Sequence, residues 1–294
     1  MATVKDIAKL AGVSTATVSR ALAEPEKVAD ATRHRVEQAA ATIGYSPNAM
    51  ARGLRTNESK TIVVVLPDIS NYFFADIIKG IEGVAHSKGY KVLIGDANNE
   101  VDRARRYFDL VHSKQADGVL LLTADIPQSM LLNSQGAPKF PMVMACEYFL
   151  QSTIPTVRID NQGSASFAVQ QLIELGHHRI GCITGAINNP ICEARLLGYQ
   201  KAMAGADLAI REGDIAEGDF SLFSGYQQAK RMLLEAEPPT AIFCHNDEMA
   251  IGVLKMAREL NIRVPQQLSV VGFDNTSFSE YCSPELTTVH QPRR

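Results

Sequence analysis

The sequence contains no long apolar run of the kind that crosses a membrane. None of its apolar stretches reaches the about 18 residues that a membrane-spanning helix needs. Lys5, Asp6 and Lys9 also stand near the N-terminus, where a signal peptide would carry its apolar segment. We therefore expect a cytoplasmic protein without a membrane partner.

Cysteine is scarce, and its positions do not suggest a structural role. The five cysteines are odd in number and lack a CxxC pair; they are Cys146, Cys182, Cys192, Cys244 and Cys282. This pattern indicates neither a disulfide framework nor a zinc site. The signatures GxxxxGKS/T, GxGxxG, HExxH and GxSxG are missing as well. We expect reduced thiols, no metal, no cofactor and no enzymatic activity.

Positive charge is concentrated near the N-terminus of an otherwise acidic chain. The formal net charge is −3 over 294 residues, a length that suggests more than one domain. Residues 1–60 carry nine Lys or Arg against six Asp or Glu, whereas the remainder carries twenty against twenty-six. A basic segment on an acidic body is typical of a nucleic-acid-binding domain joined to a soluble sensor.

The apolar spacing in residues 4–44 is helical and fits three short helices. Gly12 is expected to end the first helix, Ser14 or Thr15 to cap the second, and Asp30 to cap the third. The first two helices and their glycine turn form a helix-turn-helix, the motif whose second helix lies in the major groove of DNA.

The second helix of this motif supplies the predicted DNA contacts. Its N-terminal part faces base edges, which places Thr15, Ala16 and Arg20 at the groove. Arg20 suits a bidentate contact with guanine, and Thr15 and Ala16 can offer methyl groups to thymine. The other candidate DNA contacts are Lys5 and the hydroxyl-bearing Ser14, Thr17 and Ser19.

Beyond residue 60 the pattern changes to apolar runs of strand length that alternate with amphipathic helices. Eight strands are predicted, at residues 61–66, 91–95, 118–123, 141–145, 156–159, 179–183, 240–244 and 269–273. Near-continuous Val, Ile and Leu runs between helices indicate parallel strands buried on both faces. The count predicts two doubly wound α/β subdomains in tandem, with a ligand cleft beyond the carboxyl ends of their strands.

The headpiece sequence resembles that of a known family. DIAKLAGVSTATVSRAL followed by VADATRHRVEQAAATIGYSPNAMARGL is similar to the headpiece of the LacI/GalR family of bacterial repressors, and the similarity continues to the end of the chain. It implies an α/β protein with an all-α helix-turn-helix headpiece and a periplasmic-binding-protein-like core of two parallel-sheet subdomains. The implied domains are a headpiece at 1–46, a hinge helix and linker at 47–60, core subdomains at 61–160 and 161–288, and a return crossover at 289–294.

The same resemblance implies a role for the segment between headpiece and core. Residues 48–54 would form a hinge helix that pairs across a homodimer in the minor groove of a palindromic operator. Asn48, Ala51 and Leu54 would contact DNA there, with Leu54 inserted between base pairs. These residues are fewer than the ~12–15 that an isolated helix needs in water, so we expect the helix to fold only with DNA and a partner chain.

The family resemblance of the core implies contacts with a small-molecule effector. The motif ICEARLLGY matches the family at Arg195, FCHNDEMAIG at Asn246 or Asp247, and VVGFDNTSF at Asp274. Each motif lies beside a predicted strand end. A guanidinium and a carboxylate on rigid elements can hold hydroxyls or ring polar atoms of a ligand; the competing interpretation is a structural ion pair.

Aromatic residues complete the implied effector site. Phe220 in GDFS would cover an apolar face of the ligand, and Tyr72 and Phe73 in ISNYFF would contribute from the first subdomain. Glu147, after PMVMA, is a further candidate. The competing interpretation for the aromatic residues is plain core packing.

Within the family, the combination of STATVSRAL, PMVMA followed by Glu147, FCHNDEMAIG and GFDNTSFSEYCSPELTTVHQPR most resembles the cytidine repressor branch. The similarity implies a nucleoside effector, with a sugar or a purine as the alternative. A solute-binding protein for sugar uptake shares such a core but would need a signal peptide and no helix-turn-helix. The chain ends at QPRR, where the family's chain returns to the first subdomain, so we expect part of the C-terminal fold to be missing, weak effector binding and a tendency to aggregate.

Overall fold

The computed structural model describes residues 2–45 and 57–293, and contacts along the chain divide it into two units. The first unit comprises Met1–Ser59 and the second Lys60–Arg294. The first is helical, whereas the second is built on parallel sheets. Among the helices of the described ranges, none is both long and apolar enough to cross a bilayer.

Over its described residues 2–45, the first unit contains three α-helices and one short 3-10 helix: α1 Val4–Ala11, α2 Thr15–Ala23, the 3-10 helix Pro25–Lys27 and α3 Asp30–Thr42. Gly12 ends α1 with a φ of 64°, a left-handed conformation that glycine adopts without a Cβ clash. Ser14 caps α2, as predicted. The predicted cap at Asp30 is wrong, because Ala29 holds the N-cap position and Asp30 is the first helical residue. The Asp30 Oδ1 instead forms an ion pair with the Arg33 Nη2, 3.1 Å away.

Small apolar side chains form the core of the first unit. The buried residues are Ile7, Ala8, Ala11, Val18, Ala21, Val36, Ala39 and Ala40. Helix α2 buries Val18 and Ala21 in this core, on one face because they are three residues apart, and the partly buried Leu22 packs against the same core. The opposite face of α2 is therefore available for contact with another molecule.

The second unit begins with a subdomain around a five-stranded parallel sheet in the order β2-β1-β3-β4-β5. Its elements are β1 Thr61–Leu66, α4 Phe73–Ser87, β2 Lys91–Asp96, α5 Val101–His112, β3 Gly118–Leu121, α6 Gln128–Leu131, β4 Met142–Ala145 and β5 Thr156–Val157. Alternate residues of β1 enter different cores: Val63 packs with α5, and Val64 packs with α4. The sheet is thus covered on both faces.

A second subdomain has the same architecture, with strand order β10-β9-β8-β6-β7. Its elements are α7 Asn161–Glu174, β6 Ile180–Thr184, α8 Pro190–Gly205, β7 Ile215–Glu217, α9 Leu222–Leu233, β8 Ala241–Cys244, α10 Asp247–Glu259, β9 Ser269–Asp274, the 3-10 helix Ser277–Tyr281 and β10 Thr287–His290. Helices α7 and α8 pack on one face of the sheet, and α9 and α10 on the other.

The predicted two-subdomain α/β fold is confirmed. All eight predicted strands occur, with ends that differ by at most two residues. The prediction missed β7 and β10, which are the two edge strands of the second sheet. Both are short and partly exposed, so neither has the long apolar run that marks a central parallel strand.

Close packing of α7 against α8 brings functional side chains together. A Cβ atom at Gly198 of α8 would lie 2.3 Å from the Gln162 carbonyl oxygen of α7, so only glycine allows this approach. As a result Asn161, the first residue of α7, lies beside Arg195 of α8.

Candidate functional site

The exposed face of α2 carries the side chains predicted to contact bases. Thr15, Ala16 and Arg20 are exposed, whereas Val18 of the same helix is fully buried. An exposed N-terminal turn with small side chains can approach base edges closely, and a guanidinium one turn further on can reach guanine. The geometry is compatible with insertion into a major groove.

Four of the remaining predicted DNA contacts belong to α1 or to the start and body of α2: Lys5, Ser14, Thr17 and Ser19. The Ser14 Oγ accepts the Thr17 amide at 3.1 Å and lies 2.9 Å from the Thr17 hydroxyl, so both side chains fix the start of α2. Ser19 is half-buried, and Lys5 on α1 is exposed. The three predicted hinge contacts lie outside the described residues: Asn48, Ala51 and Leu54.

A cleft of about 420 Å³ lies between the two subdomains of the second unit, beyond the carboxyl ends of their strands. Loops that follow strands supply most of its lining. Polar residues of the lining include Asp68, Asn71, Glu147, Asn161, Arg195, Asn246 and Asp274. A concave site of this volume with a few convergent polar groups is typical of a small-molecule site.

Arg195 is the central cation of the cleft and is almost completely buried. Its Nε donates to the Asn161 Oδ1 at 2.9 Å, and its Nη1 donates to the His245 carbonyl oxygen. The guanidinium also stacks on Phe273, 3.7 Å from the ring centroid. Burial lowers the pKa of Arg195, but an arginine stays protonated in proteins. The side chain is therefore a fixed positive charge.

Asp274 faces this cation at the end of β9. Its Oδ1 lies 3.9 Å from the Arg195 Nη2 and accepts a 2.6 Å hydrogen bond from the Gln291 Nε2. Burial raises the pKa of Asp274 to about 7, although the charge of Arg195 acts against the shift. The residue has a φ of 109°, a conformation that L-residues rarely adopt. A strained, buried carboxyl group beside an arginine is typical of a functional site.

The first subdomain contributes a second buried carboxyl group. The Glu147 Oε2 accepts the Ala124 amide at 2.5 Å, and the Asn189 side chain forms another hydrogen bond with Glu147. Burial raises the pKa of Glu147, and these two hydrogen bonds oppose the shift. Since Asn189 belongs to the second subdomain, Glu147 connects the two sides of the cleft.

Two of the three predicted aromatic residues line the cleft. Phe73 begins α4 in the first subdomain, and Phe220 lies opposite in the second, with a φ of 68°. The Asn246 Nδ2 donates to the Phe220 carbonyl oxygen at 2.8 Å, and the Asn246 Oδ1 caps α10. Asn246 thus fixes the backbone of Phe220 beside the cleft.

The other two predicted effector contacts lie outside the lining. Tyr72 is 52% exposed and packs its ring on Phe278 of the second subdomain. Asp247 is buried behind the wall, where its Oδ2 accepts the Thr276 amide at 2.6 Å and its Oδ1 accepts the Thr288 hydroxyl. The carboxylate of Asp247 therefore fixes the loop after β9 instead of facing the cleft.

Sequence reasoning missed two residues that position the charged pair. Asn161 accepts a hydrogen bond from Arg195, and Gln291 donates one to Asp274. Asn161 directly follows the segment that joins the subdomains, and Gln291 directly follows β10. Position after a strand end could have indicated both residues, but Gln291 required the prediction of β10.

Comparison with known proteins relates both parts of the chain to one family. The profile of bacterial regulatory proteins of the lacI family matches residues 3–48, and that of a periplasmic binding protein-like domain matches residues 169–294. The HTH-type transcriptional repressor CytR of Escherichia coli (strain K12) is 46% identical over 293 residues, which cover 99% of this chain and 85% of that protein.

Another relative and a solved structure extend this comparison. The HTH-type transcriptional repressor PurR of Aliivibrio salmonicida (strain LFI1238) is 36% identical over 295 residues, covering 100% of this chain and 88% of PurR. The crystal structure of the Lac repressor dimer bound to operator and the anti-inducer ONPF has a TM-score of 0.87 and 28% identity, with 99% of this chain and 88% of that chain covered.

Proposed function

This chain belongs to the lacI family of bacterial regulatory proteins, and on that premise we propose that it represses transcription as a homodimer on a palindromic operator, under the control of a nucleoside. The chain is a DNA-binding transcriptional repressor of this family, and its relatives are repressors, not enzymes. The observation that carries the proposal is the Arg195–Asp274 pair, buried in a cleft of a chain that also has an exposed face on α2 with the side chains predicted to contact DNA.

Dimerisation follows from the small size of the base-reading surface. One α2 offers Thr15, Ala16 and Arg20 to the bases, which is too few contacts for a specific site. A two-fold dimer doubles them and matches a palindrome. The structurally similar Lac repressor was crystallised as a dimer on its operator. Exposed Phe223 and Tyr281 on the second subdomain give this chain apolar surface that a partner could cover.

A nucleoside suits the chemistry of the cleft. Ribose hydroxyls can accept hydrogen bonds from Arg195 and donate to Asp274, whose Oδ2 accepts no hydrogen bond from the described residues. A planar base can pack on Phe73 or Phe220. The similarity to the cytidine repressor branch and to CytR favours cytidine over a sugar or a free purine.

Control of DNA binding requires that the effector prefer one cleft geometry. A ligand that binds the closed cleft more tightly than the open one shifts the population towards closure. In a dimer, closure would change the spacing of the two headpieces and thereby their fit to the half-sites. The direction of the response, induction or corepression, is an outcome of the experiment that follows.

Selection of operators from random duplex DNA, followed by titration with small molecules, tests the proposal. The full chain should enrich a palindrome with two half-sites. Cytidine should change the affinity of the protein for that palindrome at fixed salt, whereas ribose, a hexose and guanine should leave this affinity unchanged. Arg20→Ala should lose about 1–3 kcal/mol of base discrimination at one position of each half-site. Lys27→Ala, on the 3-10 helix outside the predicted contacts, is the matched control.

The possible outcomes separate the parts of the proposal. A non-palindromic consensus, or binding by monomers alone, would contradict the dimeric arrangement. A response to guanine or to a sugar, without one to cytidine, would replace the nucleoside with that ligand. Unchanged base specificity of Arg20→Ala would show that α2 does not lie in the groove as proposed.

A further inference from the structure

Two aromatic side chains from different subdomains meet outside the cleft lining. The rings of Tyr72, before α4, and Phe278, in the 3-10 helix after β9, have centroids 4.6 Å apart and an interplanar angle of 56°. The two side chains are 52% and 45% exposed, respectively. Neither residue lines the cleft, so neither is explained by effector contact.

The backbone of Tyr72 adds a second contact between the subdomains. Its amide donates to the Glu248 Oε1 at 3.4 Å. Glu248 lies in the first turn of α10 and lines the cleft. Tyr72 therefore contacts the second subdomain through its ring and through its backbone.

Both aromatic residues are joined through short, fixed segments to residues of the effector cleft. Tyr72 directly precedes Phe73, which lines the cleft. Phe278 lies four residues after Asp274, in a loop that the Thr276 amide and hydroxyl tie to Asp247 at 2.6 and 3.0 Å. Movement of either cleft wall must therefore move one ring of the pair.

Another bridge between the subdomains shows what makes this pair different. Tyr148 of the first subdomain is buried against Ile191 and Cys192 of the second, as in an ordinary core. The Tyr72–Phe278 pair is half-exposed and so gains less from burial, which leaves its contact free energy close to that of an isolated aromatic pair. A contact of that size can form and break as the cleft closes and opens.

We propose that Tyr72 and Phe278 form an aromatic clasp that closes the effector cleft and raises effector affinity without touching the effector. The inference rests on the proposed function, because the closed cleft is the form that would hold a nucleoside. Tyr72, predicted from the sequence as an effector contact, is instead a positioning residue. Effector binding and clasp formation favour the same closed geometry and therefore strengthen each other.

A double-mutant cycle with cytidine as the probe tests the clasp in the full chain. Tyr72→Ala and Phe278→Ala should each weaken cytidine binding roughly 2- to 10-fold in calorimetry. The double variant should bind cytidine no more weakly than the single variant with the lower affinity, because each ring acts through the other. Tyr72→Phe keeps the ring and should restore wild-type affinity. Ile69→Ala, an exposed apolar residue of the same loop, is the control and should change nothing.

Amide hydrogen exchange without ligand separates failure of the clasp from failure of the effector assignment. Phe278→Ala should speed exchange of the Tyr72 amide, although the two residues belong to different subdomains. Cytidine binding that is unchanged in both single variants would overturn the clasp and leave the proposed function standing. If wild type does not bind cytidine, the nucleoside assignment fails, and unchanged exchange at Tyr72 would then overturn the clasp as well.

Discussion

The two walls of the cleft are built differently, although the subdomains that carry them share one architecture. In the second subdomain, charged side chains are braced by other side chains: Asn161 holds Arg195, and Gln291 holds Asp274. In the first subdomain, Glu147 is held mainly by the backbone amide of Ala124. The wall from the second subdomain, here the second wall, therefore presents the fixed charge of Arg195. The wall from the first subdomain, the first wall, presents the Glu147 carboxyl group, which reaches the opposite wall.

This difference assigns different tasks to the walls. A charge fixed in a buried site before the ligand arrives contributes strongly to binding, because no reorganisation is needed when the ligand binds. A group that bridges the cleft contributes to closure instead. We expect substitutions in the second wall to change affinity and stability strongly, and substitutions in the first to act weakly.

The largest effect is expected from Arg195→Ala. Removal of one member of a buried pair leaves the other without compensation and costs about 3–5 kcal/mol of folding free energy. Loss of the hydrogen bonds from the guanidinium should weaken cytidine binding by about 1.5–3 kcal/mol. Denaturant unfolding and calorimetry measure the two losses. Arg211→Ala, which removes an exposed partner of Glu237, is the control and should have little effect on either.

A smaller but pH-dependent effect is expected from Asp274→Asn. The folded-state pKa of Asp274, about 7, lies above the ordinary value of 3.8, so the folded protein binds more protons than the unfolded chain between these values. Wild type must therefore lose stability as the pH rises through this window. The stability of Asp274→Asn relative to wild type should grow by about 2–3 kcal/mol between about pH 5 and pH 8.

Unfolding curves at several pH values measure this difference. Cytidine should bind Asp274→Asn more weakly than wild type at about pH 8, because the variant lacks the carboxylate that accepts hydrogen bonds from the ribose hydroxyls. A stability difference that stays constant with pH would show that Asp274 is ionised throughout, and would contradict the burial argument for the second wall.

The bracing of the second wall depends on the close contact of α7 with α8, which two glycines of α8 can test. Gly198→Ala places a Cβ atom against the Gln162 carbonyl oxygen and should cost about 1–3 kcal/mol of stability. It should also weaken cytidine binding, since Asn161 and Arg195 move apart. Gly205→Ala meets no atom within 4 Å and should stabilise the protein by about 0.4–1 kcal/mol. Equal changes of stability and cytidine affinity in the two variants would show that the close contact of α7 with α8 does not hold Arg195 in place.

Features set by local periodicity could be predicted from the sequence. The helix-turn-helix and all central strands of both sheets follow from apolar spacing. Arg195, inside α8, follows from a family resemblance, and Asp274 follows from the same resemblance and from its place at the end of β9. The position of a side chain relative to the cleft could not be predicted where it depends on tertiary contacts. Of two adjacent aromatic residues, only Phe73 faces the cleft, because the ring of Tyr72 packs against a segment about 200 residues away.

The pair Asn246 and Asp247 shows the same limit. Both residues stand at the start of α10, and the sequence left open which of them faces the cleft. Asn246 caps the helix and lines the cleft, whereas Asp247 turns towards Thr276 and Thr288. Their roles depend on the position of β10, an edge strand without an apolar run, so local sequence could not distinguish them.

The smallest effect is expected from Glu147→Gln in the first wall. Burial raises the pKa of Glu147, so the protein gains little from its negative charge, and glutamine has the same shape. The glutamine oxygen can still accept the Ala124 amide. Cytidine affinity and unfolding free energy should therefore each change by less than about 1 kcal/mol. A loss as large as that of Arg195→Ala would mean that the first wall also binds through a fixed charge, and the contrast between the two walls would no longer hold.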